Sequence, residues 1–394
     1  MKQTLIHNAN VITPARQIHH VDVLISDDRI EALGQERRGL NAEIIDASGQ
    51  YLAPGFIDLH VHGGGGYDFM DGSPEAFSEI AKIHARHGTT TLLPTTLACT
   101  DEELSSVFTQ YLKVRSILSE GAFMPGIHLE GPYFSMEQRG AQDPRFIRYP
   151  DPSHYGPILE QWGHLILRWS AAPELPGSDV FARALLARGI LPAVAHTNAF
   201  YEEIEWAYDQ GFTHLTHFYS GMSGLRRIQG RRRPGVIESG YISDDLTVEV
   251  IADGMHLPPP LLKQVYKGIG PRRTALITDA MRAAGTDAKT SLMGSLKNGQ
   301  VVLIEEGVAW LPDRSAFAGS VATMDRAVRT MIQQVGIPLQ DAVRMATATP
   351  AAIMGFTGKG RIAPGMDADL VLFDENIKVS LTMVGGRIVY QSES

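Results

Sequence analysis

Two histidines separated by one residue end an apolar run near the start of the chain, in the segment GFIDLHVHGGGG at 55–66. In an extended strand alternate side chains point to the same face, so His60 and His62 share one face and the aliphatic side chains share the other. Two imidazoles on one face can converge on one point, as two ligands of a metal ion must. The glycines that follow permit a sharp turn close to a ligand. A hydrogen-bonded histidine pair at a strand end would give the same pattern.

Strand-like runs recur along the chain and are separated by helix-like segments. The runs are GFIDLHV, TTTLLPT, MPGIHLE, LILRWSA, LPAVAHT, THLTHFY, TVEVIAD and TALITDA. One intervening segment has Ser73 as a helix N-cap and Pro74 at the first helical position, and another has Thr100 and Glu103 in capping-box spacing. This alternation predicts an α/β fold with a parallel sheet, and eight units indicate a closed (β/α)8 TIM-like barrel.

Residues that could bind a metal fall repeatedly at the carboxyl ends of these runs, where such a barrel carries its active site. They are His60, His62, Glu130, His196, His217 and Asp279. Each residue alone could be a satisfied histidine or a paired acid. Together, at the same end of five strands, they predict a metal site, and imidazole with carboxylate but without thiolate favours zinc or another divalent first-row metal.

The two ends of the chain differ from the middle, because they consist of short alternating strands broken by turn residues. Neither end has the length for a secure core of its own. We therefore expect residues 1–54 and 356–394 to form one small β-sandwich domain beside a catalytic barrel at 55–355. Residues 295–312 are expected to form a hairpin insertion, which would add to the small domain.

The composition is that of an ordinary soluble protein, with 394 residues, 44% apolar and 20% charged. A net charge of −9 argues against a nucleic-acid partner. The sequence contains neither a signal peptide nor an apolar span long enough for a membrane, so we expect a cytoplasmic protein. The single cysteine, Cys99, excludes an internal disulfide and follows an apolar run, which favours a buried structural role.

Several segments resemble one family across nearly the whole chain. PGFIDLHVHGGGG, GIHLEGPYFS, AHT, LTHFY, DGMH, LITDAM, FAGS and PGMDADLVLFD are similar to the amidohydrolase superfamily, and specifically to its N-acetylglucosamine-6-phosphate deacetylase branch. Many binuclear members of the superfamily bridge their metals with a carboxylated lysine on the fourth strand. Here that strand reads LILRWSAAPE without a lysine, which leaves Glu130 as the available bridging carboxylate.

The resemblance implies a role for each strand-end residue in metal-dependent amide hydrolysis with one or two divalent ions. Glu130 with His196 and His217 would hold one metal, and His60 with His62 and the shared Glu130 the other. Asp279 would take a proton from the attacking water and return it to the departing amine. His256, in DGMH, would steady the carbonyl oxygen as charge builds on it, although a histidine that caps a loop after Asp253 would give the same pattern.

The sugar-phosphate contacts implied by the resemblance are matched less closely. Typical members read Asn-Ala-Met where this chain has Ser220, Gly221 and Met222, and they carry a histidine where it has Gln142. Serine and a glycine amide can still bind phosphate, and glutamine can still bind a hydroxyl group. In the basic segment GLRRIQGRRRPG, Arg232 aligns best with the family's phosphate-binding arginine, while a solvated loop or a dimer contact would also explain the segment.

These observations predict a metal-dependent deacetylase that converts N-acetylglucosamine 6-phosphate into glucosamine 6-phosphate and acetate, and that forms a homodimer as the family does. A near alternative is a deacetylase that performs the same reaction on another N-acylated amino sugar, phosphorylated or not. A barrel deaminase is a different reaction class, against which the position of Glu130 argues. A non-catalytic relative would be expected to have lost metal ligands, whereas this chain retains the set together with Asp279.

Overall fold

Parallel strands form the centre of the computed structural model, which describes residues 2–13, 16–34 and 42–393. Within this part of the chain, one parallel sheet contains in order Ile127–Glu130, Ile166–Ala171, Leu191–Val194, His214–Leu215, Thr247–Ile251 and Thr274–Ile277. A separate parallel pair consists of Phe56–Val61 and Thr89–Pro94. Single parallel bridges, from Thr95 to His128 and from Val61 to Ala280, connect the pair to both edges of the larger sheet. The predicted parallel α/β architecture is confirmed, whereas the closed eight-stranded barrel remains a prediction.

Helices follow most of these strands. The α-helices of the described chain are Pro74–Arg86, Asp101–Val114, Pro152–Trp162, Ser178–Leu186, Tyr201–Asp209, Val236–Ile242, Pro259–Gly268, Met324–Gln333, Leu339–Ala346 and Ala348–Ile353. Short 3-10 helices lie at Phe69–Asp71, Met136–Gln138 and Gly163–Leu165. Ser73 caps the first helix by accepting from the Ala76 amide, and Thr100 with Glu103 forms the expected capping box. None of the helices in the described residues has the length and apolarity needed to cross a membrane.

The two chain ends meet in a second sheet. Its strands in the described residues are Gln3–Ile12, Gln17–Ser26, Arg29–Gly34, Glu43–Asp46, Tyr51–Pro54, Leu370–Phe373, Val379–Val384 and Arg387–Gln391. The junction is the antiparallel pair of Tyr51–Pro54 with Leu370–Phe373. Apolar side chains from both ends, including Ile6, Val23 and Leu381, form a core cluster under this sheet. Residues 1, 14, 15, 35–41 and 394 of the predicted terminal domain lie outside the described residues.

The predicted hairpin at 295–312 pairs elsewhere than expected. It belongs to an antiparallel sheet of Thr290–Met293, Gln300–Glu305, Val308–Trp310 and Phe317–Ser320, which is separate from the sheet of the chain ends in the described structure. A bridge from Ser320 to Ala280 anchors this sheet beside the end of Thr274–Ile277, and this contact draws the hairpin towards the site rather than towards the termini. Two small hairpins, Gly63–Gly64 with Tyr67–Asp68 and Arg226–Ile228 with Arg231–Arg233, complete the described strands.

Candidate active site

The six strand-end residues singled out in the sequence are all buried and lie together at the carboxyl ends of the parallel strands. His196, His217 and Asp279 each lie two residues beyond the end of a strand and have left-handed backbones, with φ of 47°, 32° and 49°. This conformation is unfavourable for residues other than glycine and persists where surrounding structure holds it. At Asp279 that support includes a hydrogen bond of 3.0 Å from its amide to the carbonyl of His60. The backbone is therefore strained at these three positions, and the surrounding structure maintains that strain.

The side chains form two groups of potential metal-binding atoms. One group is His60, His62 and Asp279, the other is Glu130, His196 and His217, and the donor atoms within each group lie within 4.8 Å of one another. Glu130 connects the groups. Its Oε1 lies 2.9 Å from Nε2 of His217 and 3.1 Å from Nε2 of His196, whereas its Oε2 lies 3.4 Å from Nε2 of His62.

The outer nitrogen of every imidazole in these groups is bonded to an acceptor. The Nδ1 partners are Glu249 Oε1 for His60 at 3.2 Å, the Thr95 carbonyl for His62 at 3.2 Å, the Gln138 carbonyl for His196 at 2.8 Å and the Ser220 carbonyl for His217 at 3.1 Å. Because carbonyl and carboxylate oxygens only accept, each Nδ1 carries a proton and donates. In neutral histidine the lone pair is then on Nε2, which faces the centre in all four rings.

Burial and charge oppose each other strongly in this cluster. Burial alone would raise the pKa of Glu130, but His60 and the hydrogen bonds from His196 and His217 hold it well below its usual value. For Asp279 the same penalty is overcome by His60 and His62, so its pKa is also lowered. In turn, Asp279 and Glu130 overcome the burial of His60 and raise its pKa to about 10. The two buried carboxylates, Glu130 and Asp279, therefore require positive charge between the surrounding imidazoles.

A buried cluster of Glu249, Arg168 and His214 lies beneath the candidate metal ligands. The sequence alone assigns this cluster no role. Glu249 is fully buried and accepts from both terminal nitrogens of Arg168, at 2.6 and 2.7 Å. The same carboxylate lies 3.1 Å from Nε2 of His214. Burial would raise the pKa of Glu249, but Arg168 and the hydrogen bonds with His214 and His60 hold it well below the usual value. An ionised carboxylate is therefore fixed behind His60, where it holds the ring orientation.

Asp58 and His128 lie two residues deeper along their strands than the candidate metal ligands, and both are fully buried. Asp58 accepts from Oγ1 of Thr278 at 2.6 Å, and burial raises its pKa to about 7. His128 is bonded through Nε2 to Oγ of Ser170 at 2.7 Å. Neither residue belongs to the two groups of potential metal ligands found in the described chain.

A cavity of about 210 Å³ opens over the centre and is lined by His62, Glu130, His196, His217, Asp279 and His256 among others. Nδ1 of His256 lies 2.7 Å from Oδ2 of Asp253, and the other oxygen of Asp253 accepts from the amides of Met255 and His256. Although burial would raise the pKa of Asp253, its bonds with His256 lower it. Asp253 thus caps the loop through the two amides and also turns Nε2 of His256 away from the loop.

The expected substrate contacts divide into those that reach the cavity and one that does not. Gln142, Ser220 and Gly221 line it. Arg232 is exposed on the small arginine-rich hairpin, opposite Arg227, and is absent from the described residues that line the cavity.

Two arginines of this hairpin are used to hold it in place. Arg226 donates to the side chain and carbonyl of Asn198 at 2.9 and 2.8 Å, and Arg233 donates to Glu202 at 3.0 Å. Both guanidinium groups also lie over the ring of Phe200, at 3.8 and 4.3 Å from its centre. Arg227, Arg231 and Arg232 remain exposed without an ion pair to another described residue.

The parallel strands with a histidine–carboxylate cluster at their carboxyl ends define the class of metal-dependent hydrolases with an α/β fold. Comparison with known proteins agrees with this class, because residues 51–389 match the model of the amidohydrolase family. The chain belongs to the amidohydrolase family. Its relatives at about 30% identity over nearly the full chain place it in the N-acetylglucosamine-6-phosphate deacetylase branch of that family.

Three relatives illustrate this similarity. The chain is 31% identical to the N-acetylglucosamine-6-phosphate deacetylase of Lysinibacillus sphaericus, over 99% of this chain and 98% of the relative. It is 30% identical to an N-acetylgalactosamine-6-phosphate deacetylase of Escherichia coli O157:H7, over 88% and 89%. A mutant N-acetyl-D-glucosamine-6-phosphate deacetylase from Mycobacterium smegmatis, solved with N-acetyl-D-glucosamine-6-phosphate, superposes with a TM-score of 0.90 at 31% identity, covering 99% and 100% of the two chains.

Proposed function

We propose that this enzyme hydrolyses the N-acetyl group of N-acetylglucosamine 6-phosphate and releases glucosamine 6-phosphate and acetate. The observation that carries the proposal is the inward orientation of Nε2 in four imidazoles around Glu130, with Asp279 beside them. The full-length similarity to deacetylases of this substrate supports the same reaction.

The residues present fit a divalent metal centre. Nε2 of His60 and Nε2 of His62 lie 3.1 Å apart, so in neutral rings two lone pairs would face each other without a cation between them. His60, His62, Glu130, His196, His217 and Asp279 would hold one or two ions, of which zinc suits the donor set best. A bound divalent cation would polarise the amide carbonyl and lower the pKa of a water molecule towards neutrality.

Asp279 is the proposed general base and acid. Its Oδ1 lies 3.2 Å from Nε2 of His62 and 3.5 Å from Nε2 of His60, at the wall of the cavity. The lowered pKa keeps the carboxylate ionised and ready to accept the proton of the attacking water. The protonated side chain of Asp279 then returns that proton to the amine as the carbon–nitrogen bond breaks.

His256 is the proposed donor to the carbonyl oxygen. Because Nδ1 is bonded to Asp253, Nε2 of His256 is the nitrogen available to the substrate. The Asp253 carboxylate holds the ring so that Nε2 faces the carbonyl oxygen as negative charge develops on it. The ring also packs against Phe317, with ring centres 4.7 Å apart, which limits its rotation.

Recognition of the 6-phosphate is proposed to involve Ser220, the Gly221 amide and Arg232. None of the described residues that line the cavity is a lysine or an arginine, so a cation for the phosphate must come from outside this lining. The exposed hairpin carries three arginines, Arg232 among them, that form no ion pair with another residue in the described part of the chain. We infer that Arg232 reaches the phosphate of a second copy in a homodimer. Gln142 is proposed as a contact of a sugar hydroxyl, or as a residue that acts through Glu130.

The finer architecture belongs to the same proposal. We infer that the parallel pair and the six-stranded sheet close into a (β/α)8 barrel at 55–355, which the bridges of Thr95 with His128 and of Val61 with Ala280 support. The antiparallel pairing of Tyr51–Pro54 with Leu370–Phe373 supports a small β domain built from 1–54 and 356–394.

A substrate panel tests the assignment. Acetate release would be measured with N-acetylglucosamine and N-acetylgalactosamine, each with and without a 6-phosphate. We expect the highest kcat/KM for N-acetylglucosamine 6-phosphate. A preference for the galactosamine phosphate would favour the second amino sugar, for which a relative of similar identity exists. Equal efficiency with and without phosphate would overturn the 6-phosphate assignment and leave the deacetylase chemistry intact.

A further inference from the structure

Gln142 lines the cavity, but both ends of its amide are already bonded to the protein. Its Nε2 donates to Oε2 of Glu130 at 2.7 Å, and its Oε1 accepts from the amide of Ala98 at 2.9 Å. A carboxylate only accepts and a backbone N–H only donates, so the amide has a single possible orientation. With 4% of its surface exposed, Gln142 is a buried part of the wall.

The hydrogen bond from Gln142 gives the two oxygens of Glu130 different partners. Oε1 is directed at the Nε2 atoms of His196 and His217, whereas Oε2 receives the Gln142 amide and faces His62. Rotation of the carboxylate about its last bond would break the contact with Gln142 and misdirect both oxygens. A charge-assisted bond of this length is among the stronger hydrogen bonds in proteins.

The loop that carries Gln142 is held close to the centre by its neighbours. The carbonyl of Gln138 accepts from Nδ1 of His196, and a Cβ at Gly221 would lie 2.9 Å from that carbonyl oxygen and 2.7 Å from Nδ1 of His196. Gly221, with φ of 58°, therefore leaves space for the close approach of the loop. From the other side, Nε2 of Gln300 donates to the carbonyl of Ala141 at 3.0 Å.

We infer that Gln142 is a positioning residue for Glu130, and that its amide fixes the carboxylate that the two groups of metal ligands share. The inference rests on the proposed metal centre. It replaces a contact with a sugar hydroxyl as the main task of Gln142. Outer partners of this kind commonly change metal affinity by 10- to 100-fold when they are removed.

The experiment compares Gln142→Met with Gln300→Met, which loosens the same loop from its other side without touching Glu130. Zn²⁺ dissociation constants are measured by chelator competition on the purified proteins, and kcat and KM are measured separately with saturating Zn²⁺. We expect Gln142→Met to weaken Zn²⁺ binding about tenfold or more and to lower kcat with KM within about twofold of wild type. Gln300→Met should bind Zn²⁺ within about twofold of wild type.

Gln142→Asn keeps a polar side chain but is too short to reach Glu130, so it should repeat the loss of Zn²⁺ affinity if Gln142→Met does not fold. Unchanged Zn²⁺ affinity together with a raised KM would overturn the inference and make Gln142 a sugar ligand. An equal loss in Gln300→Met would overturn it in favour of loop placement alone. A wild-type protein that binds no Zn²⁺ would overturn the proposed centre itself, which is a separate result.

Discussion

Oε1 of Glu249 lies 3.2 Å from Nδ1 of His60, while Nε2 of the same ring lies 3.5 Å from Oδ1 of Asp279. The imidazole is thus held from behind by one buried carboxylate and directed at another across the centre. Arg168, also fully buried, neutralises Glu249 through two hydrogen bonds. The geometry of the site therefore depends on a fully buried charge pair that does not line the cavity.

Replacement of Glu249 by glutamine should destabilise the protein strongly. The side chain keeps its shape, but Arg168 is left as a buried cation without a counterion. Breaking one partner of a buried pair typically costs about 3–5 kcal/mol. The free energy of unfolding of the metal-free protein, from urea denaturation, measures this loss.

Glu174→Gln is the matched control, since among the described residues this half-buried carboxylate accepts from two neutral groups, Oγ1 of Thr197 and the amide of Asn198. We expect its loss to stay within about 1 kcal/mol, as for an ordinary hydrogen bond. Similar losses in the two variants would show that the Glu249–Arg168 pair has no special structural role.

Metal content should depend on the residues that surround Glu130. Protein purified without chelator is expected to contain one or two divalent ions per chain, and His196→Ala and Glu130→Ala should lose most of this metal. His164→Ala changes an exposed histidine away from the centre and should retain it. Elemental analysis of the four proteins decides the question. Undiminished metal in both site variants would refute the ligand assignment.

Much of the site could be predicted from the sequence because strand parity and strand ends are local features. The alternation in GFIDLHVH places His60 and His62 on one face, and their Nε2 atoms indeed lie 3.1 Å apart. The same reasoning brought Glu130, His196 and Asp279 to one edge, and the structure places them there.

The remainder depends on contacts between distant segments. Arg168 and Glu249 are 81 residues apart, and neither strand shows in its own sequence that the other supplies the counter-charge. The amide of Gln142 meets Glu130 on a loop that packs close to Gly221, a residue with a left-handed backbone. The hairpin at 295–312 was expected to join the sheet of the chain ends, and that prediction was wrong for the same reason. Its sheet is anchored by the bridge between Ser320 and Ala280, two residues that are distant from each other in sequence.

Stability should fall at acid pH partly through His84, which is fully buried beside the glycine-rich turn. Its Nε2 donates to the carbonyl of Gly63 at 2.9 Å, while Nδ1 has no partner in the described structure. Burial lowers the pKa of His84 from 6.5 to about 4. The unfolded chain therefore binds a proton that the folded chain excludes between these values, and the stability present above pH 6.5 is lost progressively towards pH 4.

His84→Gln should remove this contribution, because a glutamine amide can donate to the Gly63 carbonyl without titrating. The gap between the two pKa values of His84 corresponds to about 3 kcal/mol. Urea denaturation at pH 7 and near pH 4 should show a smaller decline for the variant by roughly that amount. Parallel declines in both proteins would show that His84 does not titrate differently on unfolding.

Arg232→Ala should weaken the preference for phosphorylated substrate. One charge-assisted contact is expected to contribute about 1.5–3 kcal/mol, which is roughly tenfold or more in kcat/KM. The variant should act on unphosphorylated N-acetylglucosamine as well as wild type does. Arg231→Ala is the neighbouring control, and a loss in that variant instead would move the phosphate contact along the hairpin.

The central claim is metal-dependent release of acetate with Asp279 as the base, and one assay addresses it. Acetate release from N-acetylglucosamine 6-phosphate would be followed for wild type, chelator-treated wild type and Asp279→Asn, with the metal content of each protein determined alongside. We expect activity in wild type, its loss on chelation and its return with Zn²⁺. Asp279→Asn should keep metal at Glu130, His196 and His217 but turn over about 10²–10⁴-fold more slowly. A kcat for Asp279→Asn within about threefold of wild type, or a chelated enzyme with full activity, would contradict the account.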